Sequence, residues 1–141
     1  ILADRYVSAS QIHQGGKIKS KSERNKFLSW LEKMEYDVFK IPKPDLVIYL
    51  DVPFEISQYW LKQKVAQRKK SSYLKKGRKD VAEDNLTHLK DSRESALSLY
   101  KNNKDWEKVQ CCKGMYCMLP EQVHEKVYET IKKRFKGLIK N

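Results

Sequence analysis

The chain has 141 residues and a formal net charge of +12, from 30 Lys and Arg against 18 Asp and Glu. An apolar share of 40% with 11% aromatics excludes a disordered polyelectrolyte. The length suits one domain, and no apolar run approaches the ~18 residues of a membrane span. Ile1 to Tyr6 lack the basic start and long apolar stretch of a secretory signal. The sequence also opens without Met, inside what reads as a strand, and an upstream part is expected to be missing.

Taken in chain order, Leu2-Ala3 reads as the stub of a buried strand running into Asp4-Arg5-Tyr6. A polar segment, 7–26, contains Gly15-Gly16. Ser20-x-x-Glu23 is a capping box that starts a helix. Phe27, Leu31, Met34 and Val38 follow at helical spacing, with Leu28 and Trp30 beside them. Ile41-Pro42-Lys43-Pro44 stops that helix, because each Pro pushes its predecessor out of α geometry. Leu46 to Leu50 is a continuous apolar run, the pattern of a strand covered on both faces in a parallel sheet. Asp51 is a strand-end acid, and Pro53 suits the first turn of a helix carrying Ile56, Tyr59 and Trp60.

That helix runs into the charge. Residues 61–79 hold Lys62, Lys64, Arg68, Lys69, Lys70, Lys75, Lys76, Arg78 and Lys79 and no acid, with Ser71, Ser72 and Gly77 marking a loop. Such a run binds polyanions, whether nucleic acid or the triphosphate of a nucleotide, or is simply a solvated face. A third helix reads from about Asp84 through Leu97 and Tyr100. A short strand covers Trp106 to Cys112, Lys113-Gly114 turns the chain, and Pro120 opens a last helix with Val123, Val127, Ile131, Phe135 and Leu138. The basic residues at its end, Lys132, Lys133 and Arg134, complement a helix dipole. Alternating strands and helices predict an α/β fold with a parallel sheet. Cys111, Cys112 and Cys117 read as ordinary thiols at a buried strand end, in a reducing compartment.

The chemistry concentrates in Asp4-Arg5-Tyr6-Val7-Ser8-Ala9-Ser10-Gln11-Ile12-His13-Gln14-Gly15-Gly16-Lys17. Ligands of open α/β sheets bind beyond the C-terminal ends of strands. Arg5 there suits bidentate grip of a phosphate. Asp4 suits the guanidinium or a magnesium ion. Ser8, Ser10, His13 and Gln14 offer donors and acceptors to a base or sugar.

This stretch resembles the thymidylate kinase family, P-loop nucleoside-monophosphate kinases. The likeness continues through Phe27-Leu28-x-Trp30-Leu31-Glu32, Pro42-Lys43-Pro44-Asp45 to Pro53, Arg78-Lys79-Asp80 with Glu83 and Asp84, and Val123-His124-Glu125-Lys126-Val127, collinear over nearly all 141 residues. The resemblance implies a three-layer P-loop-kinase sheet flanked by helices, incomplete because its first strand and P-loop are absent. Within a partial domain 1–141, it implies an acceptor-nucleotide segment with the central strand over 1–60, a basic lid over 61–83 and a helix-strand-helix over 84–141. It implies phosphoryl transfer from ATP to dTMP, giving dTDP, with Mg2+, in a cytoplasmic homodimer that takes neither nucleic acid nor membrane as partner. Asp4 and Arg5 are then catalytic, Asp4 also the metal-organising acid. Arg5, Tyr6, Ser8, Ser10, His13 and Gln14 bind the acceptor, and Arg68, Arg78 and Lys79 serve ATP and the lid.

The sequence departs from the family pattern at Ala9, where Ser is usual, and over Val81-Ala82 in the lid. It contains no Gly-x-x-x-x-Gly-Lys-Ser/Thr loop to cradle the phosphates. The chain alone is therefore expected to be inactive and to fold poorly, with inner strand edges left unpaired. Two other readings stand beside this one: a degenerate nucleotide-binding relative without catalysis, and a polyanion-binding protein using the basic run.

Overall fold

The computed structural model describes residues 1–71 and 79–137, and of 64–71 and 79–85 the backbone alone. It is an α/β fold: helices flank two small sheets. The elements are α1 (Val7–Lys17), α2 (Lys21–Glu32) continuing into a π-helical turn (Lys33–Val38), β1 (Val47–Asp51), α3 (Phe54–Ser71), α4 (Lys79–Asn102), β2 (Trp106–Gln110), β3 (Cys112–Lys113), β4 (Tyr116–Cys117) and α5 (Pro120–Arg134).

β1 and β2 pair in parallel, Val47 opposite Trp106 through Asp51 opposite Gln110. The helical crossover between them is what a parallel pair requires. Backbone bonds from Val47 N to Asp105 O (2.8 Å) and from Cys111 N to Asp51 O (2.9 Å) extend the ladder at both ends. Helices cover both faces of the pair. Ile48 and Val109 pack with Ile56 of α3 and with Val123 and Val127 of α5. On the opposite face Asp51 meets Arg93, and Lys108 lies over the Tyr100 ring at 5.8 Å, both partners on α4. Leu50, on the α3–α5 side, is 47% exposed, so the run read as covered on both faces is only half-buried.

Three expectations are corrected. Leu2-Ala3 forms no strand: Ile1 and Leu2 stand in solvent, and β1 has a single strand neighbour among the described residues. A two-residue stub with no ladder partner has nothing to satisfy its backbone groups except water. Second, the polar segment 7–26, to which the sequence assigns no element before the capping box, holds a helix: residues 7–17 are α1, packed on α4 and α2. Third, α4 begins at Lys79, five residues before the position read from the sequence. Ser20 caps α2 as expected, its Oγ accepting from Glu23 N at 3.4 Å, the one half of the capping box that forms. The π-helical turn ends at Val38 with Phe39 as its C-cap, and Lys40 just beyond, at φ +57°, takes the left-handed position usually given to glycine.

The paired glycines explain why α1 was hidden. Gly15 and Gly16 are buried in the helix, facing its neighbours rather than making a loop. A Cβ on Gly16 would lie 3.1 Å from the carbonyl carbon and oxygen of Asp91, and one on Gly15 3.4 Å from Leu28 Cδ2. The first contact is with backbone that cannot yield; the second is ordinary. Gly16→Ala should therefore lower stability by about 1–3 kcal/mol through overpacking, outweighing a helix-propensity gain of about 1 kcal/mol. Gly15→Ala should be neutral or stabilising. Urea midpoints of the two variants check this, and equal midpoints would refute the close α1–α4 approach.

Candidate functional site

Asp4 and Arg5 lie in the turn that feeds α1, both exposed, and neither forms an ion pair among the described residues. Arg5 holds φ at +68°, a conformation uncommon for a residue with a side chain. Tyr6 takes the N-cap position without a capping bond, and its hydroxyl donates to Pro42 O at 2.9 Å. That bond ties the turn to the segment leading into β1. Ser8 and Ser10 are half-buried in the first turns of α1. Gln14 is exposed and its Oε1 accepts from Lys17 Nζ at 3.1 Å.

α1 therefore splits the residues read together from the sequence. Asp4 and Arg5 stay at its N-terminal turn, Gln14 faces solvent, and His13 turns inward. Its Nδ1 lies 3.2 Å from Ser92 Oγ on α4, and the His88 ring centroid is 5.4 Å away. Ser92 Oγ also lies 3.5 Å from His88 Nε2, so one buried hydroxyl is bracketed by two imidazoles. The α1–α4 seam is completed by Ser95 Oγ donating to Gln11 O at 3.3 Å, while Gln11 Nε2 donates across to α2, to Glu32 Oε1 at 2.9 Å. Gln11 itself is buried, a structural role unlike that of its neighbours.

Burial lowers the His13 pKa from its ordinary value of 6.5, and the positive charge of Arg5, then His88 and Lys17, lowers it further. The unfolded chain thus takes up this proton at higher pH than the folded one. The stabilisation is complete above about pH 6.5 and is lost as pH falls through the folded pKa. Thermal melts should drop as pH falls below about 6.5, and His13→Gln should flatten that slope; an unchanged slope would clear His13 of the effect.

The strand end holds a second constellation that residue reading missed. Asp51, 4% exposed, accepts from Arg93 Nε at 2.8 Å and Arg93 Nη2 at 3.3 Å, with Lys108 Nζ at 3.5 Å. The hydrogen bond to Asp51 raises the Arg93 pKa against its burial. Beside it the Tyr49 hydroxyl is pushed up to about 12 by burial and the Asp51 charge, so it stays a proton donor. The sequence signal was an acid closing an apolar strand, and it gave no clue to the partner 42 residues away. Two concavities adjoin this pair. One of about 200 Å³ opens between His13, Ser92, Tyr49, Leu50 and Arg93. The other, about 370 Å³, is lined by Phe54, Glu55, Lys90, Arg93 and Glu94. Two glutamates make the larger one a poor anion site, and the smaller is the one that reaches α1.

The lid residues Arg68 and Lys79 lie on α3 and α4, but their side chains, and all of Arg78, fall outside the described residues. Among the described residues no group of three His, Cys, Asp or Glu is placed to hold a metal. Asp4 is a lone exposed carboxylate, which fits magnesium only as a ligand shared with substrate phosphates. No described helix is long and apolar enough to cross a membrane. The thiols differ from expectation: Cys112 and Cys117 form a disulfide, because the β3–β4 register sets them opposite one another, and only Cys111 remains free.

Comparison with known protein families, curated proteins and solved structures finds no match to this chain.

Proposed function

We propose that this chain is the acceptor-binding and lid part of a nucleoside-monophosphate kinase of the thymidylate kinase type, acting on dTMP with ATP and Mg2+. The observation that carries the reading is the Asp4-Arg5-Tyr6 turn at the N-terminus of α1: an exposed guanidinium without an ion-pair partner among the described residues, beside an exposed carboxylate. Support also comes from the collinear motifs and from a parallel β1–β2 pair with helices on both faces, the arrangement on which a three-layer kinase sheet is built.

In this reading Arg5 grips the acceptor phosphate and holds it in line for transfer. Bound magnesium would shield phosphate charge, with Asp4 as its protein ligand. The basic residues of 61–79 neutralise the donor phosphates when the lid closes. The chain has no phosphate-cradling Gly-rich loop, so it binds the acceptor, and transfer requires such a loop from the same or another chain. The homodimer and the cytoplasmic location belong to the same proposal.

Binding separates this reading from polyanion binding by the basic run. Titration of the chain with dTMP should give saturable binding that dCMP does not match. Tight binding of any oligonucleotide, with an affinity falling steeply with salt and no response to dTMP, would overturn the proposal in favour of a polyanion-binding protein.

A further inference from the structure

The β3–β4 hairpin consists of two residue pairs, Cys112 with Cys117 and Lys113 with Tyr116, closed by Gly114 and Met115 with Gly114 at φ +60°. A hairpin this small does not hold itself together in water. Its base is nevertheless part of the core. Cys112 is 2% exposed, and Cys117 and Met118 pack on the cluster of Ile56, Val109 and Cys111 together with Val123 and Val127 of α5. Met118 N donates to Cys111 O at 2.9 Å, closing the hairpin neck. The tip is the reverse: Met115 is 70% exposed and Tyr116 86%. α5 has no fully buried residue; Val123 and Val127 seat it on β2 and Ile56, with Cys117 and Met118 of the hairpin in the same cluster and the Arg134–Asp105 pair at its far end.

We propose that Cys112–Cys117 is a reversible dithiol–disulfide switch that locks the hairpin and, through it, the seat of α5. The proposal is independent of any nucleotide chemistry. Cys117 is the more accessible residue of the pair, half-buried where Cys112 is enclosed, and its sulfur is the one we assign to attack. A thiolate of a solvent dithiol attacks Cys117 Sγ. The Cys112–Cys117 bond breaks, and Cys112 leaves as a thiolate and is protonated. The second thiol of the reductant then attacks the mixed disulfide, freeing Cys117 and leaving the reductant as its own disulfide. Two electrons pass from dithiol to protein, and an oxidised dithiol or glutathione disulfide reverses the step. Cys111 is a bystander: it is buried, its Sγ donates to Val109 O, and burial and the Asp51 charge hold its proton on by raising its pKa.

The test uses the full chain in glutathione disulfide buffer and in dithiothreitol. Thiol titration after unfolding should count one thiol in the first and three in the second. Amide exchange over 111–127 should speed up roughly 40-fold on reduction, the loop-closure entropy of so short a ring. The α4 segment at Ala96 and Leu99 should not change, and reoxidation should restore protection. Cys111→Ser should leave the response intact, and Cys117→Ser should behave as reduced in both buffers. Three thiols under oxidising conditions, exchange over 111–127 indifferent to reduction, or loss of the response in Cys111→Ser would each overturn the switch. The two-buffer comparison of the unaltered chain stands even if Cys117→Ser does not fold.

Discussion

Replacing Asp51 by Ala lowers the unfolding free energy by about 2–3 kcal/mol, at or below the lower end of the about 3–5 kcal/mol for breaking a fully buried ion pair. The carboxylate is enclosed, with 6% of its side chain exposed, and it neutralises two cations, Arg93 and Lys108. Without it the two positive groups are left facing each other beside Tyr49, on the floor between α4 and the sheet. Arg93 keeps a third of its side chain in water, which limits the penalty. Removing the other partner has a smaller effect: in Arg93→Met the carboxylate still has Lys108 at 3.5 Å, and the aliphatic stem is replaced. The expected order is therefore Asp51→Ala worse than Arg93→Met, measured as urea midpoints at neutral pH. The double variant should cost less than the sum, because the second change relieves the unpaired charge left by the first. Equal and additive effects would mean that the three groups do not act as one unit.

How much of this was legible in the sequence depends on whether the signal was local. The Ser20 cap, the stop at Pro42 and Pro44, strand β1 and the Pro120 start are all set within a few residues, and all were readable. α1 is not, since a polar segment with paired glycines carries no apolar helical period; only the approach of the Asp91 backbone shows why glycine stands inside a helix. The partner of Asp51 could not be read either, because Arg93 lies on another helix and arrives there by folding. Cys112 and Cys117 read as plain thiols in the sequence because their pairing follows from the hairpin register, which the two-residue strands do not advertise. Within the candidate site, Arg5 and Asp4 stay together as neighbours in sequence must. His13 and Gln14, adjacent in sequence, are sent to different faces by the helical rotation that the polar composition concealed.

That separation sharpens what Arg5 should do. If the proposed kinase function holds, Arg5→Ala should reduce dTMP phosphorylation by at least about 100-fold, the loss expected when a charged donor to a phosphate is removed. The guanidinium lies exposed in the turn at the start of α1, with no ion-pair partner among the described residues to be broken by the change. Stability should accordingly move little, or rise if the left-handed turn at φ +68° is then given glycine instead. Arg5→Gly thus separates the two roles: it should relieve the backbone and still abolish the phosphate contact. Arg5→Lys keeps the charge but loses the bidentate fork and should recover only part of the activity. Because Arg5 also depresses the His13 pKa, Arg5→Ala should bring the folded pKa back toward its ordinary value and make the acid-side stability loss smaller. That second readout ties the side chain to α1 even where no nucleotide is present. Full phosphorylation activity in Arg5→Ala, with the His13 shift intact, would remove Arg5 from the acceptor site and leave it a positioning charge for the α1–α4 seam.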